Sequence, residues 1–188
     1  SAERSKPTRA TVMSLQFSAD GEKEFLDIVG RYPTTMAALL PALHLAQKEF
    51  GWISVEVMEF LANRLDLPPS RVLTTATFYS MYNKTPVGKC HVQVCTTLSC
   101  AIRGGYELVE RLENKLDVRL GETDADGNFT LSEVECLASC GTAPMFQVSD
   151  SSGALEFYED LEDEAKLDEI LEKLKQRLTT LPDPRKMH

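Results

Sequence analysis

Five cysteines in two short stretches restrict this chain more than any other feature. Three fall in CHVQVCTTLSC, residues 90 to 100, and two in CLASC, as Cys136 and Cys140, with Cys136 36 residues after Cys100. The residues given carry no charged-then-apolar export signal, so the cysteines are expected in a reducing compartment, where a disulfide framework is the poorer reading. The odd count points the same way: if four act together, one is spare.

The hydrophobic rhythm says where these stretches sit. From residue 17 to about 82 the pattern is helical. Phe25, Leu26, Ile28, Val29 and Tyr32 recur at three-to-four spacing until Pro33. A second helix is expected from a Thr35 cap through Met36, Leu39, Leu40, Leu43 and Phe50 to Gly51, kinked at Pro41. Ser54 caps a third through Val57, Phe60, Leu61 and Leu65, closed by Pro68 and Pro69, and a shorter fourth spans Val72 to Tyr79. One apolar stripe per helix reads as a small bundle. After TPVGK, residues 85 to 89, the rhythm changes. CHVQVC alternates like a strand, GYELVERLENKL is an amphipathic helix, and NFTLSEVEC, MFQVSD and LEFYED are further strand candidates. A last helix places Leu167, Ile170, Leu171, Leu174 and Leu178 on one face. The expectation is α+β: a helical domain over 17–85, then an α/β domain with a mixed sheet over 86–180. Residues 1–16, polar and locally basic, are expected to be a disordered tail, and 181–188 a second tail.

Composition narrows the function classes. At 43% hydrophobic and 26% charged the chain can bury a core, and its net charge of −9 opposes nucleic acid as a partner. No apolar run approaches the roughly 20 residues needed to cross a bilayer.

If residues 90 to 95 form a strand, Cys90, Val92 and Val94 share one face, and His91, Gln93 and Cys95 the other. Cys95 lies where the strand runs out, Cys100 closes the TTLS loop, and Cys136 and Cys140 lie just past another strand. The working set is therefore Cys95, Cys100, Cys136 and Cys140, with Cys90 left as a small buried hydrophobe. Two thiolate pairs suit either a 2Fe–2S cluster, with two ligands per iron, or a structural zinc in a tetrahedron of four thiolates. Spacing does not decide between them. It disfavours the four-iron and plant-type ferredoxin runs, a Cys-x-x-Cys redox site, and a Rieske centre, since His44, His91 and His188 form no paired motif. Backbone N–H groups of Thr96 to Ser99 and of Gly141 to Ala143 are the expected donors to the sulfurs.

The runs VGKCHVQVCTTLSC, EVECLASCGTAPMFQVSD and FYEDL, preceded by YPTTMAALLPALHLAQKEFGW and LPPSRVLTTATFYSMYNK, resemble the small 2Fe–2S subunit family of respiratory NADH:quinone oxidoreductase (complex I) over about residues 17 to 180. Related subunits occur in NAD-linked formate dehydrogenases and in hydrogenases. The resemblance implies a thioredoxin-like ferredoxin domain after the helical one, and one 2Fe–2S cluster on Cys95, Cys100, Cys136 and Cys140. It also implies a larger partner subunit that binds FMN and NADH, further subunits of the complex, and no independent catalytic residue in this chain. NADH would deliver a hydride to the partner's flavin, with which the cluster exchanges single electrons. It further implies a cytoplasmic place, peripheral to the inner membrane through the complex, or the matrix side in a eukaryote. No GxGxxG phosphate loop is present, as expected if FMN and NADH bind elsewhere.

Four features tempt other readings. ETDADGNFTLSE, residues 122 to 133, puts Glu122, Asp124, Asp126, Gly127 and Glu133 near EF-hand offsets. Glu replaces the required first Asp and a strand follows, so a turn at Asp126-Gly127 is expected instead. The acidic YEDLEDEAKLDEI complements a helix start. TATFYSMY reads partly as core and partly as docking surface. Pro144 precedes a strand, where thioredoxin-like folds often place a cis-proline.

Overall fold

The computed structural model describes residues 15–187; the expected amino-terminal tail lies outside them up to residue 14. The described residues form two compact units, 15–86 with 186–187, and 87–185.

The first unit is built from helices α1 (Ala19–Arg31), α2 (Leu39–Phe50), α3 (Val55–Leu65) and α4 (Pro69–Phe78). Their caps follow local chemistry. The Ser18 hydroxyl accepts the Gly21 amide, Ser54 accepts that of Val57, and Pro69 stands in the first turn of α4, where no amide hydrogen is required. Two expectations for α2 are corrected. The Thr34 hydroxyl, not that of Thr35, takes the Ala37 amide, and α2 starts at Leu39. Pro41 therefore lies in the first turn, whose amides have no intrahelical acceptor, and no kink is required of it.

The core of this unit gathers Phe17, Phe25, Phe50 and Phe60 with Leu39, Leu43, Leu61 and Leu65. Phe17 stacks on Phe50 at 5.5 Å and meets Phe60 edge-on at 5.1 Å. Leu15 packs on the same core, so packing reaches into the expected tail. The Arg64 guanidinium closes the cluster, 4.5 Å from the Phe25 ring centroid, while both its terminal nitrogens donate to the Glu22 carboxylate at 2.5 and 2.8 Å. TATFYSMY divides as its mixed composition implies. Ala76 and Tyr82 are buried, with the Tyr82 hydroxyl on the Leu40 carbonyl at 2.9 Å, whereas Phe78 and Met81 are exposed.

The second unit carries a four-stranded sheet of order β2-β1-β3-β4, with β1 at Cys90–Cys95, β2 at Phe129–Val134, β3 at Phe146–Asp150 and β4 at Leu155–Tyr158. β1 runs parallel to β2 and antiparallel to β3, and β4 is antiparallel to β3. A short helix α5 (Leu98–Ile102) follows β1. A parallel neighbour needs a crossover, and α6 (Gly105–Leu116) supplies it. α6 buries Leu108, Val109, Leu112 and Leu116 with Cys90, Val92, Val94, Phe129, Leu131, Phe146 and Val148. α7 (Glu164–Arg177) adds Leu167, Ile170, Leu171 and Leu174. Each large aliphatic or aromatic side chain among them contributes about 1.5–3 kcal/mol when fully buried. The alternation expected of β1 is thus realised, and Cys90 is one of the core residues.

The EF-hand-like stretch is a turn. Gly127 has φ +71°, its amide reaches the Asp124 carbonyl at 3.0 Å, and the Asp124 carboxylate accepts the Asn128 amide as β2 begins. The carboxy-terminal residues are not loose. Leu181 packs on the core, Ser151 Oγ donates to the Pro182 carbonyl, and Arg185 donates to the Asp126 carbonyl at 2.7 Å. The expected tail over 181–188 is corrected to that extent; periodicity could not reveal side chains anchoring a stretch whose regular structure is one 3-10 turn, Pro184–Lys186.

Arg64 combines three aromatic contacts with a two-point ion pair. Arg64→Ala is expected to lower unfolding stability by about 1–2 kcal/mol, read as a drop in the urea midpoint. An unchanged midpoint would reduce the cluster to surface decoration.

Candidate metal centre

The order β2-β1-β3 has a consequence at one end of the sheet. Cys95, the last residue of β1, stands opposite Val134, the last of β2, because the two strands are parallel. β3 starts on the other flank, with Phe146 opposite Val94. The chain leaving β2 must therefore cross the end of β1 to reach β3. Residues 135–145 make that crossing, and they contain Cys136 and Cys140. The Cys95 amide donates to the Met145 carbonyl at 3.2 Å and the Thr96 amide to that of Val134 at 3.3 Å, fastening the end of β1 to both sides.

Cys100 arrives differently from expectation. The TTLS segment is not a plain loop, because its last two residues already belong to α5, and Cys100 lies within that helix. Five residues are too few for an apolar period to show. Cys140 opens a 3-10 turn through Thr142, and the Ala143–Pro144 bond that follows is cis, as the position of Pro144 implied.

The sulfurs are surrounded by polar contacts. Cys95 Sγ lies 3.5 Å from the Thr97 hydroxyl and 3.6 Å from the Glu135 carbonyl, which accepts from the thiol. Burial works to raise the Cys95 thiol, but the Thr97 hydroxyl and amide, the Cys100 thiol and the Leu137 amide outweigh it and leave it below its ordinary value. Cys100 is pushed up to about 11 by burial and by Cys95, against the Met145 amide, and it also feels Cys140. The two therefore behave as a pair in which one thiolate suppresses the other. The Ala138 amide donates to Cys136 Sγ at 3.4 Å, from a residue held at a left-handed φ of +62°.

Cys95 and Cys100 are buried with Ala143 and Met145, and Leu137 packs against them. Cys136 and Cys140 are exposed. All four are free thiols, as is Cys90, which belongs to the main core and is pushed up to about 11 by burial. Among the described residues, no three His, Cys, Asp or Glu side chains converge on a point that would suit a single ion. What the structure brings together is the Cys95/Cys100 pair, with Cys140 in electrostatic reach of it and Cys136 just beyond the end of the neighbouring strand.

The amide donors are partly those expected. Thr97 serves, but the Thr96 amide is committed to the sheet and that of Thr142 to the Ser139 carbonyl. Leu137, Ala138 and Met145 act instead. Backbone groups carry no residue signature, so only the crossing geometry could have named them.

Soft, all-thiol donors in two pairs, amides directed at sulfur and one dry side fit a binuclear iron–sulfur group. The thioredoxin-like [2Fe–2S] ferredoxin family matches residues 25–175. This chain belongs to that family. Among relatives of this ferredoxin, the E subunit of NADH-quinone oxidoreductase from Rickettsia typhi is 40% identical over 168 residues, covering 88% of this chain and 95% of the relative. The corresponding protein of Rickettsia conorii is 44% identical over 79% of this chain and 87% of its own. In fold, the ferredoxin chain resembles an NAD+-reducing [NiFe]-hydrogenase in the air-oxidized state, with TM-score 0.62 and 22% identity, over 74% of this chain and 23% of the hydrogenase chain. The α+β reading, a helical bundle followed by a thioredoxin-like domain with a mixed sheet, holds.

Exposure predicts an order of reactivity in the cluster-free ferredoxin. Cys136 and Cys140 are expected to react first with iodoacetamide, and Cys90 not until the chain unfolds. Peptide mass spectrometry over time reads this directly, and early labelling of Cys90 would contradict the buried placement.

Proposed function

We propose that this ferredoxin is the electron-transfer subunit of an NADH:quinone oxidoreductase and that Cys95, Cys100, Cys136 and Cys140 hold its single 2Fe–2S cluster. The observation that carries the ligand assignment is the crossing of residues 135–145 over the end of β1, which brings the CLASC segment to the same end of the sheet as Cys95. The near full-length similarity to NADH-quinone oxidoreductase chains supports the parent complex. The helical unit and the sheet unit correspond, in this reading, to domains over 17–85 and 86–180.

When bound, the cluster supplies reversible one-electron chemistry. The chain's own residues hold and tune it. Cys95 and Cys100 sit behind Met145 and Ala143, which exclude water from that side. The Thr97, Leu137 and Met145 amides offset negative charge on the buried sulfurs. Cys136 and Cys140 are open to solvent. Around Cys100 in sequence, Leu98 and Ile102 are 73% and 74% exposed, with Tyr106 also exposed, an apolar surface that supports a partner seated close to the site. That partner is, on this reading, the FMN- and NADH-binding subunit of the same complex, with further subunits around it. Among the described residues no helix is long and apolar enough to cross a membrane, which suits a peripheral place on the cytoplasmic or matrix face.

The protein purified anaerobically is expected to be red-brown with about two irons and two sulfides per chain. Serine at Cys95, Cys100, Cys136 or Cys140 should reduce or alter the cluster, whereas Cys90→Ser should not. A colourless, zinc-containing protein that takes up no sulfide on reconstitution would end the proposal.

Thr97→Val removes a hydroxyl that favours charge on Cys95. The reduced cluster is the more negative state, so its potential should fall, by roughly 40 mV if the bond is worth about 1 kcal/mol. A redox titration reading the wild-type potential would show that this hydroxyl does not tune the site.

A further inference from the structure

The two glycines where α6 begins serve different needs. Gly104 has φ +90°, a conformation L side chains rarely adopt, and a Cβ there would meet only the Glu107 carboxylate, at 3.6 Å. Gly105 is different. A Cβ on it would lie 2.9 Å from the carbonyl oxygen of Cys100, 3.0 Å from its carbonyl carbon and 3.0 Å from the carbonyl oxygen of Cys95. All three are backbone atoms and cannot rotate aside. They also belong to the two residues of the buried cysteine pair.

We infer that Gly105 is a positioning residue for the cluster: its missing side chain lets α6 begin directly against the Cys95 and Cys100 carbonyls and so fixes the separation of that pair. The inference rests on the ligand assignment above. Of the parts in contact, two cannot give way. α6 is held to the sheet through Leu108, Leu112 and Leu116, and the end of β1 is bonded on both flanks, to Met145 and to Val134. The five-residue helix α5 is the compliant part. Its Cys100 carbonyl accepts the Arg103 amide at 3.1 Å, a bond that a displaced carbonyl would lose. A methyl group at Gly105 therefore moves Cys100 relative to Cys95, whereas a methyl group at Gly104 strains the backbone and touches neither.

The test compares Gly105→Ala with Gly104→Ala in the full chain, purified anaerobically, by iron and sulfide content, visible circular dichroism, reduction potential and apoprotein melting. Gly105→Ala is expected to fold as apoprotein, to hold about two-fold less iron and sulfide, and to show a shifted visible spectrum and potential in the fraction that is loaded. Gly104→Ala is expected to melt lower with the wild-type cluster signature. A Gly105→Ala chain with full iron and unchanged spectrum and potential overturns the inference. So does an equal disturbance from Gly104→Ala, or a Gly105→Ala apoprotein that cannot fold, since the contact would then serve the fold rather than the ligand pair. Wild-type iron and spectra in Cys95→Ser and Cys100→Ser would instead sink the ligand assignment, whatever Gly105→Ala shows.

Discussion

Parallel hydrogen bonding between β1 and β2, with β3 antiparallel on the opposite flank of β1, is the constraint on which the site depends. Parallel pairing puts the carboxy ends of β1 and β2 side by side, so that Cys95 and the start of the CLASC segment leave the sheet at one end. The strand order then obliges the chain to pass over that end of β1 to enter β3. No side-chain attraction between cysteines is needed to gather them. The price of this arrangement is a crossing with little regular secondary structure, whose backbone groups need partners. Several find them on sulfur, as the Ala138 amide does on Cys136.

The elements themselves were legible from residue pattern because each buries a well-defined face. Leu108, Val109, Leu112 and Leu116 recur at helical spacing since α6 covers the sheet, and Cys90, Val92 and Val94 alternate since β1 lies beneath it. The same alternation set Cys90 apart from Cys95. What escaped notice has no period. α5 is five residues long, and the Thr34 cap competes with an adjacent identical residue that differs only in its place along the backbone. The anchoring of residues 181–185 depends on single side chains meeting distant carbonyls, such as Arg185 on Asp126. The amide donors to sulfur lie deeper still, because any residue type but proline could supply them.

The polar machinery of the site is correspondingly spare. The groups that act on Cys95 are a hydroxyl, a thiol and two amides. The hydroxyl and the amides are fixed dipoles that cannot exchange protons at working pH, but they can offset charge where water has been removed. They are concentrated on the buried pair, where desolvation makes an anionic sulfur costly. Cys136 and Cys140 are exposed, and solvent is open to them beside the Ala138 amide that donates to Cys136. On the proposed ligand assignment, one pair would rely on amides in a dry setting and the other chiefly on solvent. A partner sealing the Cys136/Cys140 side would expel the water without adding amides of this chain, and would have to bring donors of its own or leave the centre harder to reduce. With such a partner in place, the potential would be a property of the interface as much as of this chain.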